Sequence, residues 1–428
     1  MGPMGRYRAI LGQGIWVLSG QALAAIFTVT GTRLITQFVA PDIYGIVNLT
    51  QNAVVLLRTL FCQPILNVGL RYYPDAERGK WLPALHRMLR RVLGKATVVM
   101  ESLLIVGGCV WIWHTGVNAI VVAALAVFLF ADVFRTLEMT LLGAARRQRP
   151  AAIASAGEAL VKPLLIVASV LLFGPTTQAV LAAIAVSILI TLIGLRTAAP
   201  SESGVGASPL PSNIATEMRR YAIPLVPIAL LNWLTALSDR YIIQWLSHDL
   251  SSVGVYAAGY GLVSQPLLML HAVAALTLRP VYFSAVSRND QERAARTFTT
   301  WLALSAAASI AATLLIFFLR GPIVDIFLGP KYRDAVVVIP WIALGYVFYV
   351  VEQVLEQNLL AHKRTRAVLL AQACGAIASV VVTVPLVALY GMVGAAYACP
   401  IYFLIQNLVA AWLVLHTRGP MKPDDVIL

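Results

Sequence analysis

Long runs of this chain are apolar on every side of a helix, with no polar stripe facing water. Twelve of them reach the roughly 20 residues needed to cross a hydrocarbon layer about 30 Å thick. They cover 10–37, 44–70, 96–113, 118–142, 151–173, 178–195, 221–246, 253–278, 301–319, 335–360, 367–389 and 393–415. A membrane β-barrel would instead alternate apolar and polar residues, and stretches such as 121–130 carry no such alternation. Ala22-Leu23-Ala24 imitates a signal-peptide cleavage site, but the apolar run continues past it, so this segment is expected to remain as the first helix.

One stretch breaks the pattern. Residues 196–220 contain Pro200, Ser201, Ser203, Gly204, Gly206, Ser208, Pro209, Pro211 and Ser212, too little apolar surface to order a segment. The expected organisation is a six-helix bundle over 1–195, a cytoplasmic linker over 196–220, a second six-helix bundle over 221–415 and a cytoplasmic tail over 416–428. Repeated words support the duplication. Arg33-Leu34-Ile35-Thr36-Gln37-Phe38 aligns with Arg240-Tyr241-Ile242-Ile243-Gln244-Trp245, and Asp42 and Asp249 each lie nine positions beyond the arginine. Tyr44-Gly45 is answered loosely by Gly254-Val255-Tyr256, Leu70-Arg71 by Leu278-Arg279, and the stretch from Glu138 to Leu142 by that from Glu356 to Leu360. Two halves of six helices share one orientation, so their symmetry axis is expected along the membrane normal, with a central cavity between them.

Composition agrees: 59% of the 428 residues are hydrophobic and 12% charged. The net charge of +13 would suggest nucleic acid in a water-soluble protein, but its distribution here points elsewhere. Connections that alternate with the helices on one side carry 24 Lys and Arg; the opposite side carries Arg320, Lys331 and Arg333. The positive-inside rule then places both termini in the cytoplasm, and no nucleic-acid partner is expected.

The remaining basic residues, Arg33, Arg58, Arg135, Lys162 and Arg240, lie inside the spans. Each costs at least about 2.5 kcal/mol at a helix centre, so each should face protein or a water-filled cavity. The acids in the spans are Glu101, Asp132, Glu138, Glu158, Asp239, Glu352 and Glu356. Asp132, Arg135 and Glu138 fall roughly on one helical face, as do Glu158 and Lys162 on the next helix, so an ion-paired layer and a functional site are both open readings. Arg33 and Arg58 have no local carboxylate, and a guanidinium fork matches phosphate oxygens, which argues for an anionic cargo. Asp132, Glu138, Glu158, Asp239 and His271 are the candidates for charge pairing or coupling. Pro64, Pro224, Pro227, Pro266, Pro340, Pro385 and Pro400 are expected within helices, as kinks or hinges.

No phosphate-cradling Gly-x-x-x-x-Gly-Lys-Ser/Thr occurs, and Gly12-Gln13-Gly14 lacks the third glycine of a dinucleotide loop. Six scattered histidines and the unclustered Cys62, Cys109, Cys374 and Cys399 form no metal motif. No cofactor, metal or enzymatic activity is expected.

Several motifs form an ordered set: Tyr44-Gly45 after the first helix; Gly69-Leu70-Arg71-Tyr72-Tyr73-Pro74 ending the second; Ser238-Asp239-Arg240-Tyr241; and Val253-Gly254-Val255-Tyr256. With the twelve-helix pattern, the chain resembles the oligosaccharidyl-lipid flippases of the polysaccharide transporter family, in the superfamily of the multidrug and toxin extrusion transporters. The resemblance implies a bacterial inner-membrane protein moving an undecaprenyl-pyrophosphate-linked oligosaccharide outward for surface or exported polysaccharide. Membrane lipid is then a partner, with a polysaccharide polymerase and glycosyltransferases as further ones. In that picture Arg33, Arg58 and Arg240 hold the head group, with Arg135 and Lys162 assisting. The competing expectations are a cation- or proton-coupled multidrug antiporter, for which acids such as Asp132 and Glu158 would serve, and a non-transporting scaffold of the assembly complex.

Overall fold

The computed structural model describes residue 20 and residues 23–198, 209–211, 213–362 and 364–416. The start of the first expected span, residues 199–208 and 212 of the linker and most of the C-terminal tail lie outside the described residues. The remainder of that span is helical over 23–38 (α1). It is followed by α2 (Pro41–Arg78), α3 (Leu82–Thr115), α4 (Ala119–Ala144), α5 (Gln148–Phe173), α6 (Thr177–Ala198), α7 (Ile214–Ala222) and α8 (Leu225–Ser247). Then come α9 (Leu250–Ser287), α10 (Gln291–Phe327), a single 3-10 turn, α11 (Ala335–Ala361), α12 (Thr365–Tyr390) and α13 (Met392–His416). Counting α7 and α8 together, eleven of these stretches are long and apolar enough to span a membrane. The all-helical membrane fold is therefore borne out.

Two details depart from the apolar pattern. Several helices run well past it: α2 and α9 each have 38 residues, about 57 Å at 1.5 Å per residue. Their extra turns hold Arg71 and Arg78 in α2 and Arg279 in α9, where arginine ends the apolar run but is still a good helix former. The segment expected to lack order ends in α7, where Met218 is buried and Tyr221 packs edge-on against Tyr72 of α2. Pro224 falls in the break between α7 and α8 rather than inside a helix, because it removes a backbone donor there.

The chain forms two compact units. One comprises the described residues up to Val39 and Val47–Leu230; the other comprises Ala40–Ile46 and the residues from Leu231 onward. Within the first, α6 packs against α4 and α5, and α3 against α4. Within the second, α13 packs against α11 and α12, and α10 against α11. The same plan recurs, the sixth helix of each set lying against the fourth and fifth. Small residues let these helices approach, as hydrocarbon-phase packing requires. Gly394, Ala395, Ala396, Ala398 and Cys399 of α13 are buried, and a Cβ at Gly345 of α11 would lie 2.5 Å from Cys399 Sγ.

Residues 40–46 belong with the second unit for a visible reason. Gly45 lies directly against Leu250 and Gly254 at the start of α9, and a side chain at Gly254 would collide with the Pro41 carbonyl oxygen. Tyr44 adds an edge-on contact with the buried Tyr332, ring centroids 5.9 Å apart. The two glycine words aligned as repeats thus touch each other. Polar groups inside the spans are satisfied locally where they can be: Thr28, Thr32 and Thr36 of α1 each donate to the carbonyl four residues back, at 2.7–2.8 Å.

At the start of α9, Asp249 accepts hydrogen bonds from the backbone N–H of Ser251 and Ser252 and from the Ser252 hydroxyl at 2.6 Å. The Ser252 hydroxyl, with those backbone donors, holds the Asp249 carboxyl below its usual value. Asp249→Ala is expected to lower stability by about 1 kcal/mol. With a depressed folded-state pKa, the cap contributes fully above the ordinary aspartate value of about 4, and its contribution fades as pH falls through the folded one. Melts of both proteins across that range should converge at acid pH. Gly254→Val is expected to cost about 1–3 kcal/mol through overpacking against Pro41, read as a lower melting temperature in detergent, whereas a valine at the open Gly261 should not.

Candidate functional site

The first unit carries a cluster of charged side chains from three helices. Asp132 of α4 is 3% exposed. Its Oδ1 accepts a hydrogen bond from Arg135 Nη2 at 2.6 Å, and its Oδ2 lies 2.8 Å from Arg58 Nε of α2. Arg135 also reaches α5, where Nη1 pairs with Glu158 Oε2 at 3.2 Å. Lys162, one turn beyond Glu158, lies within electrostatic reach of Glu158, Arg135 and Asp132. Arg58 therefore has a carboxylate partner after all. Sequence spacing missed it because the partner sits on another helix.

Three cations face two carboxylates, leaving one positive charge in excess. The Nε of Arg135 is buried without a hydrogen-bond acceptor, so the cluster retains donor capacity. It is not sealed: the side chains of Arg58, Arg135 and Glu158 are 17–23% exposed. Such an arrangement suits an anion rich in oxygen acceptors.

The other expected residues are placed apart from this group. Glu138, 3% exposed, pairs with Arg90 of α3 at 3.2 Å rather than joining Asp132 and Arg135. Arg33 on α1 is half-buried, and no described carboxylate lies within ion-pair distance of it. Its repeat counterpart Arg240 is enclosed in the second unit. There Arg240 Nη1 pairs with Asp239 at 2.8 Å and donates to the Ala236 carbonyl at 3.0 Å, with the guanidinium 4.3 Å from the Tyr260 ring centroid. Tyr256 closes the group by donating to Asp239 Oδ2 at 2.6 Å. The difference traces to one residue: Asp239 precedes Arg240, whereas Thr32 precedes Arg33. Arg240 in this conformation is thus not open to a head group. His271 on α9 is half-buried and its Nδ1 lacks a partner.

The second unit also holds a pair that sequence spacing did not single out. Glu352 of α11 is 1% exposed, with Gln353 donating to it at 3.0 Å. One turn on, Glu356 accepts from Gln372 of α12, also at 3.0 Å. No described cation lies within ion-pair distance of either. Their i, i+4 spacing and the glutamines at 353 and 372 were the available signals, and neither stands out in a chain with acids at several helix ends.

A helical membrane protein of this architecture has solved counterparts. The fold matches the lipid II flippase MurJ in an inward closed conformation with a TM-score of 0.69 at 13% identity, over 97% of this chain and 89% of that one. It matches an inward-facing multidrug resistance MATE family transporter of the MOP superfamily equally well, at 0.69 and 12% identity, over 94% and 96%. The eukaryotic MATE transporter AtDTX14 is more distant, at 0.54 and 15% identity, over 96% and 94%. At these identities the likeness is one of fold. No curated protein sequence matches the chain. The chain belongs to the polysaccharide biosynthesis protein family, whose profile covers residues 115–337. The resemblance read from the sequence is thereby confirmed at the level of family. The matched region contains Asp132, Arg135, Glu158 and Lys162.

Removing the central carboxylate leaves Arg58, Arg135 and Lys162 facing one another with only Glu158 to balance them. Asp132→Ala is expected to destabilise the protein by about 3 kcal/mol, measured by thermal unfolding in detergent, and Arg58→Ala by clearly less because Arg135 still pairs with Asp132.

Proposed function

We propose that this protein is a flippase that carries undecaprenyl-pyrophosphate-linked oligosaccharide units across the bacterial inner membrane by alternating access. Both termini are then cytoplasmic, as the arginine and lysine asymmetry indicates. Glycosyltransferases supply the loaded lipid on the cytoplasmic side, and a polysaccharide polymerase consumes it on the other. The observation that carries this reading is the cation excess at Arg58, Asp132, Arg135, Glu158 and Lys162. A pyrophosphate would compensate that charge and occupy the unused Nε donor of Arg135, where a cationic drug would be repelled. Arg33 is assigned to the same head group because no carboxylate competes for it among the described residues. Membership of the polysaccharide biosynthesis family supports a sugar cargo.

The second unit supports coupling to a cation gradient. Glu352 and Glu356 face Gln353, Gln372, Tyr349 and, more distantly, Arg279, so no paired base neutralises them. Two buried carboxylates in that position require a proton or a monovalent cation.

In liposomes containing fluorescent lipid-linked oligosaccharide, Arg58→Ala and Arg33→Ala are each expected to reduce translocation at least about tenfold at normal protein level. Wild-type rates in both would overturn the head-group assignment. Glu352→Gln is expected to remove the response to an imposed proton or sodium gradient; an unchanged response would remove the coupling role. Efflux of a cationic dye, with no movement of lipid-linked sugar, would favour the multidrug antiporter.

A further inference from the structure

The N-terminal half of α2 has two unlike faces. Successive helical residues point about 100° apart, so Thr50, Ala53, Val54 and Leu57 share one side. They line a pocket with α3 and α4, whose contributions include Leu104 and Val122. Asn48, Gln51, Asn52, Arg58 and Thr59 fall within an arc of about 120° on the other side, with Val55 as the apolar residue among them. All six are half-buried. A helix face turned away from its packing neighbours in a bilayer meets either hydrocarbon or water, and five polar side chains on one arc select water.

Building the helix does not require these polar residues. In the register that pairs Arg33 with Arg240 and Asp42 with Asp249, the counterparts of Asn48, Gln51 and Asn52 on α9 are Val255, Ala258 and Gly259. All three are buried, and a Cβ at Gly259 would lie 3.2–3.3 Å from side chains of α11. Where that face packs against protein it is small and apolar; on α2 it carries three carboxamides. Asn52 Nδ2 donates to Asn48 Oδ1 at 2.9 Å, which orients the Asn48 amide and leaves its nitrogen to donate elsewhere. Gln51 makes no hydrogen bond among the described residues, so both ends of its amide remain available. Carboxamides give and accept hydrogen bonds without adding charge, which matches the hydroxyls of a neutral sugar rather than a cation or an apolar drug.

Arg58 lies on the same arc, about 9–15 Å along the axis from the three amides, and joins the cluster of Asp132 and Arg135. We propose that Asn48, Gln51 and Asn52 form a sugar subsite, which hydrogen-bonds the hydroxyls of the sugars nearest the pyrophosphate while Arg58 and Arg135 hold the pyrophosphate itself. This rests on the flippase reading and adds to it the residues that read the cargo. The arginines anchor any pyrophosphate head; the amides distinguish a head that carries the right sugar from one that does not.

The test uses the full chain in nanodiscs and four short prenyl pyrophosphates. One is bare, and the others carry a disaccharide whose first sugar is glucose, galactose or N-acetylglucosamine. The wild type is expected to bind at least one glycosylated probe about tenfold more tightly than the bare one. Asn48→Ala combined with Gln51→Leu should remove that gain and leave the Kd of the bare probe unchanged, whereas Arg58→Ala should weaken all four. In the Gln51→Cys protein a water-soluble maleimide should modify position 51, read by peptide mass. The preferred glycosylated probe should protect that position more than the bare probe does at equal occupancy. Equal wild-type affinity for the bare and all glycosylated probes, an undiminished gain in the folded double variant, or no modification at position 51 would each overturn the sugar subsite alone. Failure of the wild type to bind any of the four would overturn the flippase reading and this proposal together. If the double variant does not fold, protection in the Gln51→Cys protein decides.

Discussion

A hydrocarbon layer offers no hydrogen-bond partner, and every polar group placed in it must find one within the protein. The main features of this chain follow from that constraint. Backbone groups close on themselves in long helices. The threonines of α1 turn back to carbonyls one turn away. Charged side chains that cannot do so gather into groups: Arg58, Asp132, Arg135 and Glu158 in one unit, and Asp239, Arg240, Tyr256 and Tyr260 in the other. Where the partners do not balance, as around Arg58 and Lys162 or at Glu352, the imbalance marks the places able to take up a charged ligand.

Both units use one packing plan, with the sixth helix against the fourth and fifth, yet they have diverged electrostatically. The word that ends α1 and its counterpart in α8 each contain an arginine. In the second, the adjacent Asp239 neutralises it and two tyrosines cover it; in the first, Thr32 stands in that position and Arg33 stays half-exposed. The second unit then carries its unbalanced charge as carboxylates on α11, and the first carries it as cations.

Helix approach is a second theme. Gly45 against Gly254 draws seven residues of the N-terminal half into the second unit, and Gly345 against Cys399 brings α11 onto α13. On α1, Gly31 lies directly against Pro163 of α5. Small residues thus determine where helices touch.

The sequence by itself determined the membrane class, the all-helical fold and the family. These rest on quantities summed over about 20 residues, which survive ignorance of the surroundings. It also identified Asp132, Arg135, Glu158 and Lys162 as neighbours, because i, i+3 and i, i+4 spacing is geometry internal to a helix. Only the tertiary structure decided that Arg58 pairs with Asp132, that Glu138 turns to Arg90, that Arg240 is enclosed and that Glu352 is buried without a cation. A helix apolar on all sides has no stripe to show which face meets protein. Its rotation, and so the partner of each polar side chain, is set by neighbouring helices far away in the chain.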